Sequence, residues 1–347
     1  MIRKAIIKGS IFCILLAIVI SILNSIFVIK IDHRSKLIQG LYENTDDQYD
    51  VVLLGSSHMN GGIDPNILWS KYGISSFNYG TGGQPIDVTY YLLKEVLKKH
   101  KNPIVVVDLY YLGATDEFGS EGYVRYVLDS MRLSQNKMEA IINTTPKDQW
   151  ASFLFPMIKY HNRWKELNEQ DFSFNIGSSY YAKGFSAGNE MYGENRKGYT
   201  CTKEIGTIPP KTERYLYKII DLSKKEGFKL IFTNAPYDYD STAGSNNWNK
   251  EPAKMFNKVS EIAKDNNITF INYCDKFEEI GFNFKTDMNN EGHLNIWGAN
   301  KVTTNLGEFL KENYNLVDHR SDIRYAKWNS DYKRYSETNV AAMEQKK

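Results

Sequence analysis

Residues 49–65 read YDVVLLGSSHMNGGIDP. The apolar run Val51–Leu54 breaks at Gly55, and two serines and a histidine follow at once. Glycine and serine are turn residues on backbone grounds alone, so a plain turn accounts for the composition. A buried strand that ends in hydroxyls also matches a nucleophile set at the mouth of a sheet. The rest of the chain has to decide between the two.

Working outward, apolar runs alternate with segments of helical periodicity. Strands are expected over 50–55, 74–80, 102–113, 228–237 and 268–275, and helices over 86–100, 213–227, 252–266 and 296–313. Such alternation predicts an α/β fold, a three-layer sandwich with a mainly parallel sheet, spanning 48–315. Residues 114–212 interrupt it with aromatic, polar and glycine-rich sequence, too long for a structureless loop, and read as an inserted lid or subdomain. Within them WASFLFPMIKYHNRWKEL (150–167) predicts an amphipathic helix broken near Pro156. The tail, 316–347, keeps aromatic residues that should pack back on the domain, with its last dozen residues loose.

The chain has 347 residues, 43 Lys and Arg against 41 Asp and Glu, and a formal net charge of +2. A nucleic-acid binder would show a basic patch or stripe, so that class is not expected. Twenty-four tyrosines suit a surface that handles sugars or another protein. From Gly9 to Ile29 there are 21 residues without a charge, enough to cross a hydrocarbon layer of ~30 Å as a helix. Arg3, Lys4 and Lys8 precede them and no small-x-small cleavage site follows, so 1–30 reads as an uncleaved membrane anchor. The very short tail ahead of it favours leaving the large domain outside the cytoplasm, and 31–47 reads as a polar stalk. Cys13 lies within the anchor, and Cys201 and Cys274 can pair or remain as two thiols.

In an open α/β sheet, ligands collect beyond the carboxyl ends of the strands. Three features fall there: Gly55-Ser56-Ser57-His58, then Asn78-Tyr79-Gly80-Thr81-Gly82-Gly83, and TDMNNEGHLNIWGANK (286–301) with Asp287 and His293. A serine early and a histidine late can meet over one sheet edge as nucleophile and base. GFSAG (184–188) matches a nucleophile-elbow pattern but lacks the strand before it and the helix after it. YGTGG is an incomplete dinucleotide loop in the wrong place. His58 and His293 have no third ligand at a telling distance, so neither a metal nor a cofactor is expected. His58, Asn78, His161 and Arg163 are candidates for substrate binding, the last two for an anionic or sugar group.

These blocks resemble those of the SGNH or GDSL-type hydrolases. The resemblance maps the family's Gly-Asp-Ser onto Gly55-Ser56-Ser57 and implies Ser57 as nucleophile. It implies Gly80 and the Ser57 amide as oxyanion donors, and His293 as base in the Asp-x-x-His block. The chain departs from the pattern twice. Asn290 stands three before His293 in place of aspartate, and Asp108-Leu109-Tyr110 stands where an Asn-Asp block is usual. Asp287 is then the expected group orienting His293, with Asn290 its rival. In serine proteases an amide in place of the acid costs about 10⁴-fold, so an Asn290 orienter predicts a sluggish enzyme. Anchor, insertion and spacing resemble the branch that works with membrane-bound O-acyltransferases, as in D-alanylation of lipoteichoic acid and O-acetylation of alginate. That resemblance implies a serine O-acyltransferase at the cell membrane, acting on a surface polysaccharide or teichoic-type polymer with such a membrane partner. An esterase using the same residues, and an inactive polymer-binding subunit, are the alternatives.

Overall fold

The computed structural model describes residues 2–30, 35–43, 48–113, 117–173, 180–194, 202–238 and 251–344. At its centre is a five-stranded, wholly parallel sheet of β1 (Val51–Leu54), β2 (Ser76–Asn78), β3 (Ile104–Asp108), β4 (Lys229–Asn234) and β5 (Thr269–Asn272), in the order β2-β1-β3-β4-β5. Every position of β1 and β3 is buried. A strand covered by helices on both faces has no solvent side, so VVLL and IVVVD run without polar alternation. Val52 pairs with Val105 and Leu53 with Val106. The chain leaves β1 for β2 on one side and returns to β3 on the other, so the connections part between β1 and β3. A crevice opens at such a switch point, beyond the carboxyl ends of the two strands.

The flanking helices, in chain order, begin with α1 (Ile2–Phe27), α2 (Ser35–Glu43), α3 (Ser57–Asn60), α4 (Pro65–Tyr72) and α5 (Ile86–Leu97). The insertion holds α6 (Glu121–Leu128), α7 (Gln135–Thr144), α8 (Trp150–Leu154) and α9 (Pro156–Tyr160). Then come α10 (Pro210–Glu226), α11 (Pro252–Asp265), α12 (Phe284–Asp287), α13 (Ile296–Asn313) and α14 (Ala326–Glu344). α1 is long and apolar enough to span a membrane, and its apolar window has no buried residue.

Local chemistry explains where the chain differs from the pattern read in the sequence. α4 was not expected: Asp64 caps it by accepting from the Asn66 N–H at 2.8 Å, Pro65 opens it, and Gly73 closes it in the left-handed conformation (φ +68°). The expected strand at 102–113 stops at Asp108 and turns into a 3-10 segment, Tyr110–Gly113. The segment read as a stalk is not a free spacer over 35–43, because Leu37, Ile38 and Leu41 are buried in the main core. Residues 31–34 and 44–47 of it lie outside the described residues, as do Cys201 and the final residues 345–347. Cys274 is buried, with the Asn234 Nδ2 at 3.2 Å from its sulfur. The insertion is helical, and its chain breaks between α8 and α9 at Phe155–Pro156, where the proline ring removes a helical donor. α14 is latched to the domain by the buried Trp328 and by Tyr335, whose hydroxyl donates to Asp64 Oδ2 at 2.5 Å.

Candidate active site

Gly55 ends β1 with φ +145°, and a Cβ there would sit 2.7 Å from the Cβ of Asp108 at the end of β3. Only glycine allows the two strand ends to close so tightly. Ser56 comes next and is spent on structure. Its hydroxyl donates to Asp108 Oδ2 at 2.8 Å and accepts from the His58 N–H at 3.2 Å, capping the short helix α3. Asp108 is buried, which pushes its carboxyl up to about 6 against the pull of the Ser56 hydroxyl and the Tyr110 N–H. Ser57, the first residue of α3, is half-buried, and its Oγ lies 2.8 Å from His293 Nε2. The turn at 55–58 therefore does both jobs: one serine holds the turn and the other meets a base.

The other ring nitrogen, His293 Nδ1, lies 3.1 Å from Asn290 Oδ1. The same oxygen accepts the backbone N–H of Gly292 at 3.0 Å and of His293 at 2.9 Å. Two fixed N–H donors need an oxygen, so the amide cannot turn its NH₂ toward the ring. Nδ1 must then carry the proton, and the Nε2 lone pair faces the Ser57 hydroxyl. Burial lowers the His293 pKa below its ordinary 6.5, and the Glu291 charge opposes that shift. His58, a candidate substrate ligand by sequence, is buried and stacks on His293 with ring centres 4.6 Å apart. Burial, then the neighbouring His293, keeps it well below its ordinary pKa, and its other face meets Tyr110. It supports the base from behind.

The structure corrects Asp287 as the orienting acid. The segment folds as a tight hairpin, with Met288 bridged to Leu294 and the Asn289 N–H donating to the His293 carbonyl at 2.8 Å. Asn290 falls within the turn beside the ring, whereas Asp287 falls outside the bridge. Its Oδ2 instead accepts from the Asn283 N–H at 2.7 Å and from Lys301 Nζ at 2.6 Å, tying α12 to α13. Asp287→Ala should cost about 3 kcal/mol of stability, as breaking a buried ion pair does. Ester turnover by the folded variant should stay near wild type. Paired melts and rate assays check this, and a folded but inactive variant would restore Asp287 to the site.

Gly80 is corrected as well. Its N–H donates to Asn78 Oδ1 at 2.9 Å, so it is not available to an oxyanion. A Cβ at Gly80 would lie under 3 Å from Asn60 N, Asn78 Oδ1 and Ser56 O, so the glycine is needed for packing beneath α3. Gly80→Ala should destabilise by about 1–3 kcal/mol, read as a lowered melting temperature. Asn78 is structural too: its Nδ2 donates to the carbonyls of Met59 at 2.7 Å and Ile63 at 2.9 Å. Of the two expected donors only the Ser57 N–H is open. A first-turn amide has no intrahelical partner, and this one donates to no group among the described residues. Arg163 lies at the end of α1, donating to the Phe27 carbonyl and to Asp171, whereas His161 Nδ1 lies 2.9 Å from the Ile158 carbonyl oxygen.

GFSAG is a loop, and the described residues just before it, 180–183, form turns and not a strand. It buttresses α3 instead, with Asn60 Nδ2 donating to the Gly184 carbonyl at 2.6 Å and the Ser186 N–H to the Asn60 carbonyl at 3.1 Å. This support, and the Asp108 contact with Ser56, carried no motif in the sequence. The acid at the end of the IVVVD run was the one available hint of the latter.

No family model matches the chain, and no curated protein matches it significantly. Among solved structures it is similar to a Bacteroides fragilis protein described as a "putative acylhydrolase". The two share 12% identity at a TM-score of 0.38, over 79% of this chain and 93% of that one. So distant a likeness carries no functional argument, and any reading of function rests on the site's own geometry.

Proposed function

We propose that this protein is a membrane-anchored, extracytoplasmic serine O-acyltransferase of the SGNH type, moving a short acyl group such as acetyl. The observation that carries the reading is the continuous chain Ser57 Oγ–His293 Nε2, His293 Nδ1–Asn290 Oδ1. In the first half-reaction Ser57 Oγ attacks the acyl carbonyl while His293 Nε2 takes its proton. The oxyanion forms beside the Ser57 N–H, a donor of the kind worth ~3 kcal/mol. Collapse breaks the bond to the leaving oxygen, which takes the proton back from His293 and leaves acyl-Ser57. In the second, His293 removes a proton from an acceptor hydroxyl as it attacks the ester; collapse breaks the acyl–Oγ bond, and Ser57 Oγ takes that proton back from His293. A glycan or teichoic-type hydroxyl as acceptor gives transfer; water gives hydrolysis.

Support for a retained anchor comes from the packing of the insertion on the last turns of α1, described below. A membrane-bound O-acyltransferase as donor of the acyl group follows from the family resemblance. The test uses the full-length protein with an activated acetyl ester, with and without oligosaccharide acceptors. Peptide mass spectrometry should find the acetyl group on Ser57, and acceptors should speed its loss while gaining acetyl themselves. Loss to water at an unchanged rate would make the protein an esterase. Failure of Ser57 to acylate at all would refute both and leave a binding subunit.

The base also sets the pH profile. His293 must be neutral to act, and its pKa is lowered from 6.5. Neutral imidazole therefore persists to more acidic pH than for an exposed histidine, and the acid limb of kcat/KM should have its midpoint below 6.5. A limb above that value would mean that negative charge at the ring, from Glu291 or elsewhere, outweighs burial.

A further inference from the structure

Part of the insertion wraps the carboxyl end of α1. Asn24 Oδ1 accepts from the Met157 N–H at 3.2 Å, and Arg163 Nη1 donates to the Phe27 carbonyl at 2.5 Å. Asp171 joins the clasp: its carboxylate accepts from Arg163 Nη2 at 2.7 Å, and its carbonyl accepts from Lys30 Nζ. The same segment turns large apolar side chains outward, namely Phe155, Ile158, Trp164 and Phe172, with Trp164 63% and Phe172 58% exposed. Lys165 lies over the Trp164 ring, 5.4 Å from its centre.

We propose that residues 155–172 form a collar that lies in the headgroup layer of the bilayer crossed by α1, a second membrane contact beside the anchor. The inference rests on α1 being a retained anchor. Two observations commit the patch to lipid. The first is position. The helical part of the uncharged run, Gly9–Phe27, extends ~28 Å, about one hydrocarbon thickness. Its last turn, clasped by the collar at Asn24 and Phe27, then sits at the membrane surface. The second is chemistry. Tryptophan and phenylalanine beside lysine are the residues that settle at that depth, rings at the acyl boundary and ammonium at the phosphates. The polar clasp of Arg163 and Asp171 stays on the protein side. Held at two places, the domain cannot swing about a single helix, and the Ser57 cleft is kept at a fixed height above the lipid.

The test uses the full chain in phosphatidylcholine–phosphatidylglycerol vesicles whose acyl chains are brominated near the headgroup. α1 contains no tryptophan, so the anchor alone gives no quenching. Wild-type fluorescence should be quenched relative to unbrominated vesicles, and Trp164→Phe, which keeps an aromatic ring, should remove at least half of the quenched component. Alkaline carbonate extraction of the same vesicles reports the anchor separately. Protein that stays with the vesicles unquenched, or quenched equally in Trp164→Phe, overturns the collar and leaves the patch to a membrane-protein partner. Protein released by carbonate overturns the anchor, and the collar falls with it.

Discussion

Ser57→Ala should lower turnover of an activated acetyl ester by on the order of 10⁴-fold or more, while the melting temperature stays within a degree or two of wild type. Losses of that size follow removal of a serine nucleophile, since the base and oxyanion donor act only through it. The fold should tolerate the change because the hydroxyl meets His293 and caps nothing. Its neighbour makes the control. Ser56→Ala removes the cap of α3 and the side-chain hydrogen bond to the buried Asp108 carboxylate, which should cost about 1–3 kcal/mol. That variant should melt earlier yet still acylate at Ser57. Near-normal turnover by Ser57→Ala, in the same assay and melt, would remove the hydroxyl from the mechanism.

The second large effect is expected at Asn290. Asn290→Ala takes the acceptor from His293 Nδ1 and the partner from two backbone N–H groups at once. The ring is then free to rotate and to take the wrong tautomer. Turnover should fall about 10²- to 10³-fold, less than the ~10⁴-fold seen when a triad carboxylate is replaced, because Asn290 supplies orientation without charge. Asn290→Asp keeps the acceptor geometry and adds the charge. A carboxylate beside the imidazole favours its protonated form, so the folded pKa of His293 should rise and the acid limb should move to higher pH. The rate above that limb should increase, since the imidazolium formed as Ser57 attacks is better stabilised. A pH–rate profile for both variants decides the matter. A fully active Asn290→Ala, or a limb that stays in place in Asn290→Asp, would mean that the amide does not govern the base.

The wrong expectation at Asp287 shows where reading along the chain runs out. The reaction favours a carboxylate, and Asp287 is the nearest acid on the strand side of His293. Whether it reaches the ring depends on a two-residue bridge, Met288 to Leu294, which has no signature in NNEGH. The same holds at Gly80: the glycine is plain in the sequence, but its N–H belongs to Asn78 Oδ1. Arg163, a candidate by its chemistry, is held instead by the path of the insertion at the end of α1.

By itself the sequence determined what depends on local pattern. Apolar runs such as VVLL and IVVVD, set between helical periodicities, dictate a parallel α/β sheet because strands buried on both faces tolerate no polar alternation. It also determined the long apolar amino-terminal helix, and that Gly55-Ser56-Ser57 and His293 stand where a sheet edge gathers its loops. Only the tertiary structure decided which serine is open, since Ser56 is spent on an aspartate 52 positions away. Only it decided that an amide, and not a carboxylate, faces the histidine. Hydrogen bonds between side chains far apart in sequence depend on ångström-scale backbone placement, and no periodicity or composition records that.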